Sequence, residues 1–145
     1  MALTQADIDT LARTPVPAQK LLIDGQWRDG QGGETPVLSP IDGSVLTTLS
    51  AASATDVASA ATAARSAFED GRWSRMAPAG RKAVLHRLAD LIEKHAVELA
   101  VLGVRDNGTE ISMALKAEPG SAAQTFRYYA EAIDKIYGEI APTAP

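Results

Sequence analysis

Between Ser50 and Gly138 small and aliphatic residues recur at helical spacing, interrupted only by Asp70-Gly71, the Asn107-Gly108 step and a few prolines. A chain patterned this way must build most of itself from helices, because a 3.6-residue apolar repeat buries no coherent face as a strand. The first of these helices takes Ser53 or Thr55 as its cap, carries Val57, Ala60, Ala61, Ala64 and Phe68 at helical spacing, and closes at Asp70-Gly71. Pro78 opens the next, at a position where a missing N–H costs nothing. Leu85, Leu88, Ala89, Ile92, Ala96 and Leu99 form its stripe, while Lys82, Arg87, Glu93 and Lys94 face water. This run is either one bent helix or two with a break near His95, and Asn107-Gly108 ends it. Thr109 caps a short helix through Lys116. A last helix runs from Pro119 to Gly138 with Ala122, Phe126, Tyr129 or Ala130, Ile133 and Tyr137 on one side.

Upstream of Ser50 the pattern changes. Thr4-x-x-Asp7 has the shape of a capping box and starts a short helix that Pro15 and Pro17 end. From Lys20 to Leu49 come short β-type runs: Leu21-Leu22-Ile23, Gln26-Trp27, Thr35 to Leu38 and Val45 to Leu49. The Asp24-Gly25 and Asp42-Gly43 steps between them imply at least one hairpin. Gly30, Gly32 and Gly33 mark Arg28 to Glu34 as an exposed, mobile loop.

Charge and composition then narrow the possible functions. Fourteen basic against 18 acidic residues leave a net charge of −4, with the basic residues spread along the chain, so neither nucleic acid nor a membrane surface is an expected partner. No run approaches the roughly 18 apolar residues of a membrane span, and the N-terminus has neither a basic nor an apolar leader region, so a cytoplasmic location is expected. The absence of cysteine removes disulfides, thiolate metal sites and every sulfur nucleophile. There is no internal repeat, and the domain count is one or fewer. Val84, Leu91, Val101, Val104 and Tyr128 fall off the main stripes, which makes the helices broadly apolar and implies a larger body to cover them.

Several residue groupings have the outline of a site. His86 and Asp90 lie four apart on a helix like a base and its orienter, yet no serine stands at a defined distance, and they read as a solvated pair. Gly25 to Gly30 has the glycine spacing of a phosphate loop, but Gln31-Gly32 stands where Lys and Ser/Thr belong and no helix opens there. Asn107-Gly108-Thr109 matches a glycosylation acceptor by chance in a chain without a leader. Asp106-Asn107-Gly108 could offer a carboxylate and free helix-end carbonyls to a hard cation, though a helix stop explains it as well.

The order of the elements carries more. Ile23-Asp24-Gly25-Gln26-Trp27 followed by Ser39-Pro40-Ile41-Asp42-Gly43-Ser44-Val45-Leu46 resembles the opening of the NAD(P)-dependent aldehyde dehydrogenase superfamily. Asp56-Val57, Ala63 to Phe68, Trp73, Arg81 and Leu88-Ala89-Asp90-Leu91-Ile92 are similar to its next blocks in order and spacing. Asp106-Asn107-Gly108 and Phe126-Arg127-Tyr128-Tyr129-Ala130 continue the likeness, which covers residues 20 to 145 and is nearest the branch handling amino-aldehydes. Thr109-Glu110 departs from it, because many members have Lys-Pro there.

The resemblance implies a helix-rich α/β fragment. Residues 1–19 would form an N-terminal helix and linker, and residues 20–145 the incomplete N-terminal part of the family's domain. Most of the dinucleotide-binding sheet and the catalytic domain would be missing. The family's oxyanion-holding Asn, its nucleotide-side glycines, its general-base Glu and its nucleophilic Cys all match positions beyond Pro145. No catalytic or cofactor-binding residue is therefore expected in this chain, which supplies scaffold and is inactive alone. NAD or NADP and an aldehyde substrate belong to the complete enzyme, where a thiolate attacks the aldehyde, hydride passes to NAD(P)+ and water releases the acid. Partners would be the remainder of the enzyme, or further copies of the chain through exposed apolar helix faces. The resemblance also implies that Asp106 and the backbone carbonyl of Leu38 form half of a monovalent-cation site. The alternative is a stand-alone helical interaction module. The Ala141-Pro142-Thr143-Ala144-Pro145 end, without terminating structure, favours the fragment.

Overall fold

The Thr4 hydroxyl accepts the Asp7 amide at 3.3 Å while the Asp7 carboxylate accepts the Thr4 amide at 2.9 Å. This reciprocal cap starts α1 (Gln5–Arg13) in the computed structural model, which describes residues 4–139. The expectations for Ala141–Pro145 lie outside the described residues. After α1 the proline-bearing strap crosses to the sheet region, where the Gln19 amide donates to the Thr48 carbonyl at 2.8 Å.

Both Asp-Gly steps turn hairpins. β1 (Leu21–Ile23) pairs antiparallel with β2 (Gln26–Arg28) around Asp24 at φ 51° and Gly25 at φ 72°. Two successive positive φ values are what a two-residue hairpin of native twist requires. β3 (Glu34–Leu38) pairs antiparallel with β4 (Val45–Ser50), with a register shift between Val37 and Leu38. The loop between β2 and β3 is exposed as expected, yet it is tied down. Its Gly30, Gln31 and Gly32 amides donate to the Ser50 hydroxyl (2.6 Å), the Asp56 carboxylate (2.9 Å) and the Ala51 carbonyl (2.9 Å).

Of the two expected caps of α2 (Ala54–Glu69), Ser53 serves, in a reciprocal cap with Asp56. Pro78 stands at the start of α3 (Pro78–Lys94), and His95 separates it from α4 (Ala96–Asn107), so the run is two helices. Gly108 at φ 76° ends α4 in the left-handed conformation.

The last segment departs from expectation. There is one helix, α5 (Ile111–Ala132), with Glu110 and not Thr109 at its cap position and Pro119 inside it. It ends at Ala132, short of Gly138. Proline removes one backbone bond and crowds the preceding turn. Here Pro119 is buried, and nearby α4 comes so close that a Cβ on Gly103 would stand 2.8 Å from the Glu118 carboxylate. Tertiary packing thus carries the helix through a residue that would stop it in isolation.

The buried side of α5 also differs from the expected one. Of the two alternatives on that stripe Ala130 is the buried one, and Ala114 and Ala123 are fully buried with it, whereas Phe126 and Tyr129 are exposed and Tyr137 lies beyond the helix. Ala89 of α3 and Ala100 of α4 complete an alanine seam, joined by Val101, which is 3% exposed and so not an uncovered residue. Leu88 and Leu99, placed on the expected core stripe, are exposed. Small residues permit close helix approach but bury little area, and the large apolar side chains are left outside.

Candidate functional site

Leu38 closes β3 at the register shift, and Asp106 lies one turn from the end of α4. The chain brings these ends together through a loop and a helix stop. In the loop, the buried Ser39 hydroxyl accepts the amides of Ile41 (3.2 Å) and Asp42 (3.4 Å). The Asp42 carboxylate accepts the Ser44 hydroxyl at 2.7 Å, the main cause that holds its pKa below the ordinary aspartate value. Pro40 then meets the helix stop, where a Cβ on Gly108 would stand 3.3 Å from the Pro40 ring. Asp106 and Val37, the neighbour of Leu38, line one cleft of about 270 Å³ with Val16, Leu46, Thr47 and Leu102.

What this arrangement can do is limited by its donor set. Asp106 supplies one exposed carboxylate, while the Asn107 side-chain oxygen is already taken by the Thr109 amide at 2.7 Å. Arg105 turns away and donates to the Thr14 carbonyl at 2.7 Å. Among the described residues no group of three or more His, Asp or Glu side chains converges as a metal cage. The glycines of the phosphate-loop spacing are used by the hairpin turn and by close packing, since a Cβ on Gly30 would collide with the Ala51 carbonyl oxygen.

The other grouped side chains form a clamp between α3 and α5. His86 and Asp90 do not pair with each other. His86 Nε2 lies 2.9 Å from Glu131, and Asp90 accepts Arg127 Nη2 at 2.7 Å. Arg127 also grips Glu93 at 2.6 and 2.9 Å. Lys82 does not face water freely, because its side chain is 22% exposed and Nζ donates to Glu131 at 2.9 Å and Asp134 at 3.0 Å. Bonds from Lys135 and then Lys82 hold Asp134 down at a pKa of about 2, and Lys82 and His86 lower Glu131. Sequence spacing could not find this clamp, because its partners stand on different helices.

Three comparisons place the whole. Residues 27–145 match the family described as "Aldehyde dehydrogenase family". The chain is 42% identical over 141 residues to an aminoacetaldehyde dehydrogenase of Pseudomonas aeruginosa, covering 97% of this chain and 28% of that protein. It is likewise 42% identical over 131 residues to the human cytosolic 10-formyltetrahydrofolate dehydrogenase, covering 90% of this chain and 14% of that protein. The fold superimposes on a gamma-glutamyl-gamma-aminobutyraldehyde dehydrogenase of Burkholderia cenocepacia with a TM-score of 0.91 at 40% identity, over 98% of this chain and 29% of that one. The chain therefore spans well under a third of each of these three relatives.

Proposed function

The chain belongs to the aldehyde dehydrogenase family, and from that premise we propose that it is the hairpin-and-helix scaffold of an aldehyde-oxidising enzyme whose reacting groups lie on other polypeptide. The observation that carries this reading is the inverted distribution of apolar side chains. Among the described residues the fully buried ones are alanines, while Phe68, Trp27, Leu91, Met113, Tyr128 and Tyr129 are among the large ones left exposed. Such a surface is half of an interior. In this reading residues 1–19 are the helix and linker, residues 20–145 are the incomplete domain, and a cytoplasmic location and self-association belong to the same proposal.

The nicotinamide nucleotide accepts hydride when bound to the complete enzyme. This chain does not fit it. Among the described residues, its β4-to-α2 turn is the one place where a strand feeds a helix N-terminus, the usual seat of a pyrophosphate. The Asp56 carboxylate already occupies that end, accepting the amides of Gln31 and Ser53, each at 2.9 Å. A second negative group would be repelled. The nucleotide, NAD or NADP, is accordingly assigned to the missing part, as is the nucleophile, since the chain has no cysteine. Relatives named for aminoacetaldehyde and gamma-glutamyl-gamma-aminobutyraldehyde support an amino-aldehyde substrate.

Asp106 and the Leu38 carbonyl remain in this proposal as half of a monovalent-cation site. One carboxylate and one carbonyl suit a hard ion but rarely hold it against water without further oxygens. Calorimetric titration of the chain with NAD+ and with K+, together with an assay of NADH formation from aminoacetaldehyde, tests the scaffold reading. We expect no saturable heat and no NADH. A micromolar NAD+ site, or turnover, would overturn it.

A further inference from the structure

Asn107 is the only asparagine in the chain, and a glycine follows it. The pair matters chemically because glycine has no Cβ to screen its backbone nitrogen, so that nitrogen can reach a neighbouring carboxamide at little steric cost. The fold leaves both partners open, since Asn107 and Gly108 are exposed at the end of α4. The Asn107 side-chain oxygen accepts the Thr109 amide at 2.7 Å. This bond folds the side chain back over the Gly108 peptide and draws electrons from the carboxamide carbon. The same N–H is placed to hold the negative charge that develops on Oδ1 when that carbon becomes tetrahedral. One bond opposes attack: the Gly108 amide donates to the Val104 carbonyl at 2.9 Å. It is the cap bond that closes α4, and helix ends open locally at little free-energy cost, so each opening frees the nitrogen. The Asp24-Gly25 and Asp42-Gly43 steps present the same kind of nitrogen to a carboxylate, whose negative charge resists attack and which has no amine to lose.

We propose that Asn107 is a site of spontaneous deamidation, a covalent modification carried out by the chain's own backbone that loosens the end of α4. The Gly108 nitrogen attacks Asn107 Cγ, and the new N–Cγ bond closes a succinimide ring. The Cγ–Nδ2 bond breaks, and ammonia leaves with the Gly108 amide proton. Water then opens the ring. Addition at Cγ leaves an aspartate, and addition at the backbone carbonyl carbon leaves an isoaspartate, whose main chain runs through the side chain and is one carbon longer. Nothing is oxidised or reduced, and water is the only co-reactant. Both products carry a new carboxylate at position 107, next to Asp106 and at the helix end where the partial charge is already negative. The longer main chain of the isoaspartate also shifts Gly108 against the Pro40 ring, where even a Cβ on Gly108 would stand at 3.3 Å. The modification therefore acts on the contact that joins α4 to the β3–β4 loop.

The test ages the full chain in mildly alkaline buffer, follows its intact mass and maps the change by digestion. A gain of about one mass unit, the exchange of an amide NH2 for OH, is expected on the peptide that holds Asn107, which then separates into two isomers. Asn107→Gln keeps the carboxamide but must close a larger, less favourable ring, and should gain mass at least about tenfold more slowly. The same chain in concentrated urea sets the rate without a fold. Because opening a helix end costs little, the folded chain should react within about tenfold of that reference. If the unfolded chain deamidates and the folded one does not, the fold protects Asn107 and the proposal is overturned. A mass gain of equal rate in Asn107→Gln, or one located on another peptide, overturns it as well. The consequence is read separately by urea unfolding. The aged wild-type chain should unfold at a lower midpoint than the fresh one, whereas Asn107→Gln aged in parallel should keep its midpoint. An unchanged midpoint in the fully deamidated chain overturns the loosening of α4.

Discussion

Single residues fix the corners of this chain, and glycine does so in two distinguishable ways. Gly25 and Gly108 share nearly the same left-handed backbone, φ 72° and 76°, but a Cβ on Gly25 would meet nothing within 4 Å, whereas one on Gly108 would press the Pro40 ring at 3.3 Å. Alanine in a left-handed conformation costs about 1–2 kcal/mol at either place. Gly108→Ala should therefore destabilise more than Gly25→Ala, the difference reporting the seam that brings α4 to the β3–β4 loop. Urea unfolding of the two variants measures it. Equal losses would mean that the seam carries no weight.

At the scale of elements, the alanine seam and the ionic clamp hold α5 in place, and two predictions follow from how they do so. Proline inside a helix costs about 3 kcal/mol. The two methylenes that alanine would remove from buried Pro119 are worth about 0.8 kcal/mol each, which is less. Pro119→Ala should thus raise stability by about 1 kcal/mol, read as a higher urea midpoint; a lower midpoint would show that the ring's packing outweighs the lost backbone bond. Acid should act on the clamp. Asp134 is held from an ordinary 3.8 down to about 2, and a carboxylate with a lowered pKa stabilises the fold above its ordinary value and loses that contribution as pH falls through the lowered one. Helical signal should therefore decline as pH falls from 3.8 toward about 2, and Lys82→Met should move the decline to higher pH. Superimposable acid curves would exclude Lys82 from the clamp. The difference between what was legible and what was not has the same origin. The reciprocal caps at Thr4 and Ser53, the two Asp-Gly hairpins and the stop at Gly108 are local devices, set by neighbours within a few residues, and the sequence shows them. The passage through Pro119, the buried face of α5 and the partners of His86 and Asp90 depend on contacts across dozens of residues, which no local spacing encodes. The proposed pairing of the Leu38 carbonyl with Asp106 rests on the family resemblance alone.

For the molecule as a whole, the decisive quantity is the large apolar surface left in water. Each sizeable aliphatic or aromatic side chain left exposed forfeits roughly 1.5–3 kcal/mol of burial, so a few of them together match the roughly 5–15 kcal/mol net stability of a typical domain. Here such residues occur on both hairpins and all of the last four helices. Alanine cannot compensate, because its one methyl group buries little area even when fully enclosed. Helical content and cooperativity should consequently part company. The caps and the α3–α5 clamp sustain helices, while among the described residues no fully enclosed large side chain couples their melting. We expect strong far-ultraviolet helical signal, binding of a hydrophobic dye, and either self-association or a broad thermal transition. Addition of a partner that covers these faces should sharpen the transition and quench the dye together, since both arise from the same uncovered surface. A monodisperse monomer that melts sharply without binding dye would show these faces to be mutually satisfied, and would favour a self-sufficient interaction module over a scaffold awaiting its catalytic half.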